Sequence, residues 1–273
     1  MGPTVWRLFV QYPEVMKNPW ALYDDLIDGI GSVTVDDYQV GHIWTRVSSS
    51  DGASGLAMTT DVRTRPALFE GSLVGKSLRD AAALVKSWNL VEASIGLAAI
   101  NSWYSHPGRL GDCGYQFPLN GAGDGAFDTY AEAVKGKKVA TVGHFAFIEK
   151  RFEHAGELTI LERKPRTGDY IDSAAEYLIP EQDFVFITGS TLVNKTLPRL
   201  LELTQDAFVV IAGPSTPMSP ALYDHGANGL SGFTTPDANK LREAIRGTGF
   251  GAPSQAGIMV DFAKTKPNFL PTA

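Results

Sequence analysis

The chain has 273 residues, of which 44% are hydrophobic, 20% charged and 10% aromatic, which excludes a disordered, collagen-like or membrane-spanning class. Its 24 Lys plus Arg against 30 Asp plus Glu give a formal charge of −6, so the basic footprint of a nucleic-acid binder is missing. One cysteine excludes an internal disulfide framework and a cysteine zinc cluster, and Cys113, beside Asp112, lacks the positive surroundings of a reactive thiol.

The first twenty residues show no basic region followed by an apolar run and a cleavage site, and no window reaches eighteen uninterrupted apolar residues. A cytoplasmic location without a membrane partner is therefore expected. From Asn18, NPWALYDDLIDGI reads as a short amphipathic helix with an Asn-Pro start. VTVDDYQVG, HIWTRVSSS and GLAMTTDVR follow, rich in β-branched and aromatic residues, and predict an antiparallel meander. KSLRDAAALVKSW is a helix with Leu78, Ala81, Ala82 and Val85 on one face. VEASIGLAAINSWYSH is a second helix, apolar nearly all round and so expected to be buried. Strands followed by helices make an α+β unit.

Residues 107–125, PGRLGDCGYQFPLNGAGDG, carry Gly108, Gly111, Gly114, Gly121, Gly123 and Gly125 and read as a loop or junction. The expected domains are 1–120 and 121–273. Beyond the junction, strands and helices alternate. The strands are KKVATVGHF, LTILER, DFVFITGST, AFVVIAGPST and a last short one, GLSGFTT. Short helices separate them, LVNKTLPRLLELT is a helix broken or kinked at Pro198, and DANKLREAIRGTG closes the chain as a capped helix. Alternation with short, nearly all-apolar strands predicts a Rossmann-like parallel sheet covered on both faces, making the whole chain α/β.

In such a sheet ligands bind beyond the carboxyl ends of the strands, so the residues after each apolar run are the candidates. Gly143, His144 and Phe145 follow the first strand. Gly143 would let the backbone approach a ligand, and Phe145 suits a tight pocket or a base-stacking wall. The dinucleotide fingerprint is absent, since residues 143–148 read GHFAFI, which counts against NAD(P). Glu162 lies 19 residues after Gly143, near the offset of the acid that holds ribose hydroxyls, which leaves S-adenosylmethionine or another nucleoside-type ligand open. Thr188, Gly189, Ser190, Thr191 and Asn194 follow the third strand, and Gly213, Pro214, Ser215 and Thr216 the fourth. Together these loops could cradle an anion or carboxylate, or they could simply cap helices. His144, at a strand end, is the best acid–base candidate of the five histidines. Histidine spacings show no metal motif, so no protein-bound metal is expected. There is also no G-x-S-x-G elbow, and GAGDG (121–125) lacks the Lys-Ser or Lys-Thr of a phosphate loop.

Four stretches together resemble one family: WNLVEASIGLAAIN (88–101), KVATVGHF (138–145), SAAEYLIPEQDFVFITGSTLVNKT (173–196) and AGPSTPM (212–218). This is the putative heavy-metal chelation family. The resemblance implies a small enolase N-terminal-like domain followed by a Rossmann-like one, with a partly methyltransferase-like ligand cleft where they meet. It also implies a role in making or processing metal-chelating, pterin-like or flavin-like small molecules. Asn101, at the AAIN end, would then reach the cleft as a second catalytic candidate; its plain alternative is to cap its helix or bond a neighbouring strand. Glu92, in the same buried helix, also requires partners. Two function classes stay open, a small-molecule enzyme and a non-catalytic binding or sensing protein for a chelator, metal complex or nucleoside, and a homodimer is allowed for.

Overall fold

The computed structural model describes residues 18–110, 117–119, 125–204 and 206–264, with 117–119 as backbone only. Cys113, Asp112 and most of the GAGDG stretch lie outside them.

The first half opens with α1 (Ala21–Asp28), which buries Leu22, Tyr23, Leu26 and Ile27 along one face. The meander follows as β1 (Val35–Val40), β2 (Trp44–Ser49) and β3 (Ser54–Met58), antiparallel in the order β1-β2-β3. Then come α2 (Leu78–Ala83), α3 (Leu90–Tyr104) and α4 (Pro107–Leu110). Asn89 caps α3 by accepting from Val91 N at 3.2 Å. As its sequence predicts, α3 is buried almost all round. Two glycines make this close packing feasible. A Cβ on Gly55 of β3 would collide with the α3 backbone at Ser102, and one on Gly96 of α3 with the backbone of Val85.

The second half contains β4 (Phe117–Leu119), α5 (Ala126–Thr129), β5 (Lys138–Val142), α6 (Ile148–Arg151), β6 (Glu157–Glu162) and β7 (Tyr170–Ile171). These are followed by α7 (Ala175–Leu178), β8 (Phe184–Thr188), α8 (Leu197–Leu203), β9 (Phe208–Ala212) and α9 (Ala221–Asp224). The last elements are β10 (Gly229–Thr234), α10 (Ala238–Ala244) and β11 (Ile258–Ala263). The sheet runs β4-β11-β10-β9-β8-β5-β6-β7. From β10 to β7 every pairing is parallel, whereas β11 and β4 add antiparallel strands at one edge.

Three sequence expectations are corrected. The capped helix α10 does not close the chain, because IMVDFA forms β11 and pairs with all of β10. Nor is the glycine-rich stretch wholly loop: it holds α4 and also β4, which joins the second sheet through β11. Pro198 does not kink a helix; it sits in the first turn of α8, where its missing N–H costs nothing.

Strand periodicity sorts the second sheet into two faces. Val185 and Ile187 of β8 share a core with Leu22 and Leu26 of α1 and with Leu97 and Ile100 of α3. Phe184 and Phe186 point the other way, into a cluster with Phe127, Tyr130 and Phe152. The first half thus covers one face of the parallel sheet. Tyr23 Oη donates to Leu192 O at 3.1 Å, Met58 N to Ser215 Oγ at 2.9 Å, and Thr234 Oγ1 to Ser105 O at 2.7 Å across the junction.

Candidate functional site

Within the parallel strands the order β6-β5-β8-β9-β10 reverses between β5 and β8, the topological switch point where α/β sheets bind ligands. The turns after β5, β8 and β9 meet there. Gly143 and Gly213 have φ of +102° and +103°, which a side chain rarely adopts. A Cβ on Gly189 would lie 2.6 Å from Ser215 C and Thr216 N, so the two hydroxyl-rich loops pack backbone to backbone. Phe145 lies against Gly143 and Gly213, and its ring centroid is 4.6 Å from that of Phe127. Gly143, Phe145, Thr188, Gly189, Gly213, Ser215 and Thr216, read from separate stretches, are brought to one edge, with Pro214 in the same turn.

His144 sits in a network that its position alone could not reveal. Its backbone N donates to Glu162 Oε2 at 3.0 Å, and Lys164 N donates to Glu162 Oε1 at 3.0 Å. Its ring Nδ1 is 2.9 and 3.0 Å from the two oxygens of Asp169, and Nε2 is 3.2 Å from Glu149 Oε1. The His144 and Asp169 side chains are 7% and 2% exposed. Burial pushes the Asp169 carboxyl up. The Arg166 N–H and His144 outweigh it and hold the group below the ordinary carboxylate range. With Nδ1–H donated to Asp169 and Glu149 turned away from Nε2, a neutral ring carries its lone pair on Nε2, the arrangement of a general base steered by a carboxylate. Asp169 and Glu149 were not legible from spacing; the one local signal is the Gly168-Asp169 turn, where Gly168 has φ +99°.

The remaining candidates have tasks within the fold. Both oxygens of Glu162 accept backbone N–H groups, so it clamps the turn at His144 to its own strand end. Asn101 is 1% exposed, and its Nδ2 donates to Leu56 O at 2.6 Å. This bond joins α3 to β3, as its plain alternative has it, while Oδ1 is buried without a partner among the described residues. Asn194 Oδ1 accepts from Thr196 N at 3.1 Å and Thr196 Oγ1 at 2.6 Å. Thr191 Oγ1 donates to Thr188 O at 2.7 Å, and Thr188 Oγ1 is 3.0 Å from Ser190 Oγ. These are turn-closing bonds, the capping alternative foreseen for such loops. Thr216 Oγ1 is buried without a partner among the described residues.

Sequence reasoning also passed over Lys195, at the far end of the β8 loop. It has φ +67°, the one left-handed non-glycine among the described residues, and its Nζ reaches across the junction to Ser87 O. No three His, Cys, Asp or Glu side chains converge on a cation position among the described residues. Asp169 and Glu149 flank opposite nitrogens of one ring, so they cannot share an ion with it. This donor set does not fit a resident metal.

Fold and edge together define a class: two-part α/β proteins in which a small antiparallel unit covers one face of a Rossmann-like sheet. Family models described as putative heavy-metal chelation match residues 23–104 and 125–263, and the chain belongs to this family. A crystal structure of a protein of unknown function from the DUF364 family of Desulfitobacterium hafniense is 39% identical. It superposes with a TM-score of 0.83 over 91% of this chain and 100% of that one. A Pyrococcus horikoshii protein of the same family, also of unknown function, is 20% identical with a TM-score of 0.74 over 89% and 98%, a likeness of fold. An uncharacterized protein of Methanocaldococcus jannaschii is 28% identical over 183 residues, 64% of this chain and 67% of that protein.

Proposed function

We propose that the protein is a small-molecule enzyme working at the carboxyl edge of the parallel sheet, beside the junction of its two halves. Its substrates are metal-chelating, pterin-like or flavin-like compounds, and its reaction is a condensation, hydrolysis or group transfer. One observation carries the catalytic part: His144, buried at the switch point, has Asp169 on Nδ1. In this reading His144 Nε2 takes or returns a proton once Glu149, an exposed side chain, swings aside. Phe145 offers a planar ring a face to stack on, and the glycine turns at 143 and 213 admit the ligand to backbone N–H groups. Any metal arrives as part of the molecule handled. A nucleoside cofactor such as S-adenosylmethionine would have to draw Glu162 away from its two backbone donors, which counts against a ribose clamp there.

A second reading, a binding protein without turnover, is favoured by Glu149. While it occupies Nε2, no free base faces a ligand. The discriminating experiment is a thermal-shift screen against pterins, flavins, S-adenosylmethionine and metal–chelator complexes, followed by mass spectrometry of every stabilising compound. Conversion of a hit supports the enzyme, and loss of about 100-fold or more in rate in His144→Gln, with binding retained, supports the base. Hits recovered unchanged would establish the binding protein instead. Undiminished turnover in His144→Gln would remove His144 from the chemistry.

A further inference from the structure

Lys195 is held at a cost in two separate ways. The first lies in the backbone. Lys195 N bonds Leu192 O at 3.4 Å and Thr196 N bonds Thr191 O at 3.0 Å, the paired pattern that ends a helical segment with a left-handed residue. Glycine is the ordinary occupant of that position, because a Cβ is strained there. The second lies in the side chain. Nζ is drawn into the seam between the two halves, where it donates to Ser87 O and, at 2.7 Å, to Val193 O. Burial lowers this amine from 10.5 to about 8, and among the described residues no carboxylate acts against that shift. Lys86, on the neighbouring strand of chain, has its own partner in Asp24.

An ammonium has three donors, and two of those on Lys195 are taken. Nζ also stands over the ring of Trp88, 5.4 Å from its centroid, and Trp88 is 56% exposed. Trp20 stands edge-on to Trp88 at 6.2 Å. Among the described residues no carboxylate pairs with this partly buried cation, and a neutral ring is a weaker partner for it than an opposite charge.

We propose that Lys195 is the anchor of a binding site for an anionic group, a carboxylate or a phosphate, at the seam beside Trp88. The anion takes the place of the Trp88 ring at the third Nζ donor and supplies a counter-charge that no described carboxylate provides. This site is independent of the chemistry assigned to His144, and its test needs no turnover.

The experiment uses the full chain with inorganic phosphate and citrate as probes, at constant ionic strength set with sodium chloride. Thermal unfolding and tryptophan fluorescence are the readouts, and Lys195→Met and Lys195→Arg are the variants. In the wild type either probe should raise Tm by several degrees and change the emission of the Trp88 region. Lys195→Met should lose both responses, and Lys195→Arg, which keeps the charge, should retain them. A response to citrate alone would assign a carboxylate, and one to phosphate alone a phosphate. Without probe, Lys195→Met should unfold at or above the wild-type temperature, since it removes a desolvated charge. Equal probe responses in wild type and Lys195→Met, or no response in the wild type, would overturn the proposal. So would a Lys195→Met protein that is markedly less stable or fails to fold, because Lys195 would then be a structural strap.

Discussion

At the scale of single residues, the carboxyl edge is held by short polar contacts whose loss can be read individually. Asp169 does two things: it fixes the tautomer of His144, and it is more acidic in the folded chain than in the unfolded one. A carboxyl lowered by folding contributes stability above its unfolded value, and that contribution is lost as pH falls through the folded value. For Asp169 the window lies below about pH 4. Asp169→Asn should therefore lose less stability on acidification than the wild type, as urea titrations from neutral to strongly acidic pH would show. The same variant should cut turnover of a confirmed substrate by roughly 100- to 10,000-fold, because the imidazole loses its orienting partner. Gly189 gives a different kind of prediction. A methyl group there meets the backbone of the neighbouring loop at 2.6 Å, and backbone cannot rotate aside. Gly189→Ala should cost about 1–3 kcal/mol, measured by chemical denaturation; an unchanged midpoint would mean that the two loops can separate freely.

At the scale of elements, α3 organises the first half. It packs on β2 and β3, and its buried Glu92 holds the segment that follows β3. The Glu92 carboxylate accepts Leu68 N at 2.7 and 2.9 Å, Phe69 N at 3.2 Å and Ser87 Oγ at 2.7 Å. An amide offers one acceptor oxygen where the carboxylate offers two, and its NH2 would face N–H donors. Glu92→Gln should lower stability by about 1.5–3 kcal/mol, with faster amide exchange concentrated at residues 68–69. Wild-type exchange there would show that the segment is held by something else. Elements in the second half are short, and the central strands β5, β8, β9 and β10 draw their strength from burial on both faces rather than from helix length.

At the scale of the whole molecule, the two halves share one hydrophobic cluster. Leu22, Leu97 and Ile100 from the first half lie in the same core as Val185, Ile187, Ile211 and Leu230 from the second. Polar bonds from Tyr23, Met58, Thr234 and Trp44 cross the same boundary. A shared core makes each half the shield of the other's apolar face, so unfolding one exposes the other. Calorimetry should give a single transition with matching calorimetric and van't Hoff enthalpies. Two resolved transitions would show that the halves fold separately and that the junction is weaker than its contacts.

The class of fold was legible because period and composition speak directly. The apolar runs ending at Val142, Leu161, Ile187 and Ala212 are each too short for a helix and bounded by turn residues, and all four are strands. The last strand, β11, was missed although IMVDFA is apolar at nearly every position. It follows the capped helix α10 and the glycine-rich GTGFGAPSQAG, and pairing with β10 is a long-range event that no local pattern records. Pro198 carried the opposite lesson: proline marks a helix start as readily as a break, and only the position of Leu197 relative to the preceding turn separates the two.

The sequence by itself determined the strand ends, and hence which edge holds Gly143, His144, Thr188 and Gly213, because those residues stop apolar runs wherever the strands are placed. It could not determine what each polar side chain touches. Asp169 reaches His144 from 25 residues away, Ser215 bonds Met58 from 157, and Lys195 donates to Ser87 O from 108. Local spacing constrains a chain over one or two turns, whereas these contacts depend on where the second half folds back over the first. Glu162, a candidate by position, and Asn101, one through the family resemblance, show the consequence: packing bonds both Glu162 oxygens and Asn101 Nδ2 to backbone groups, contacts that no local spacing records.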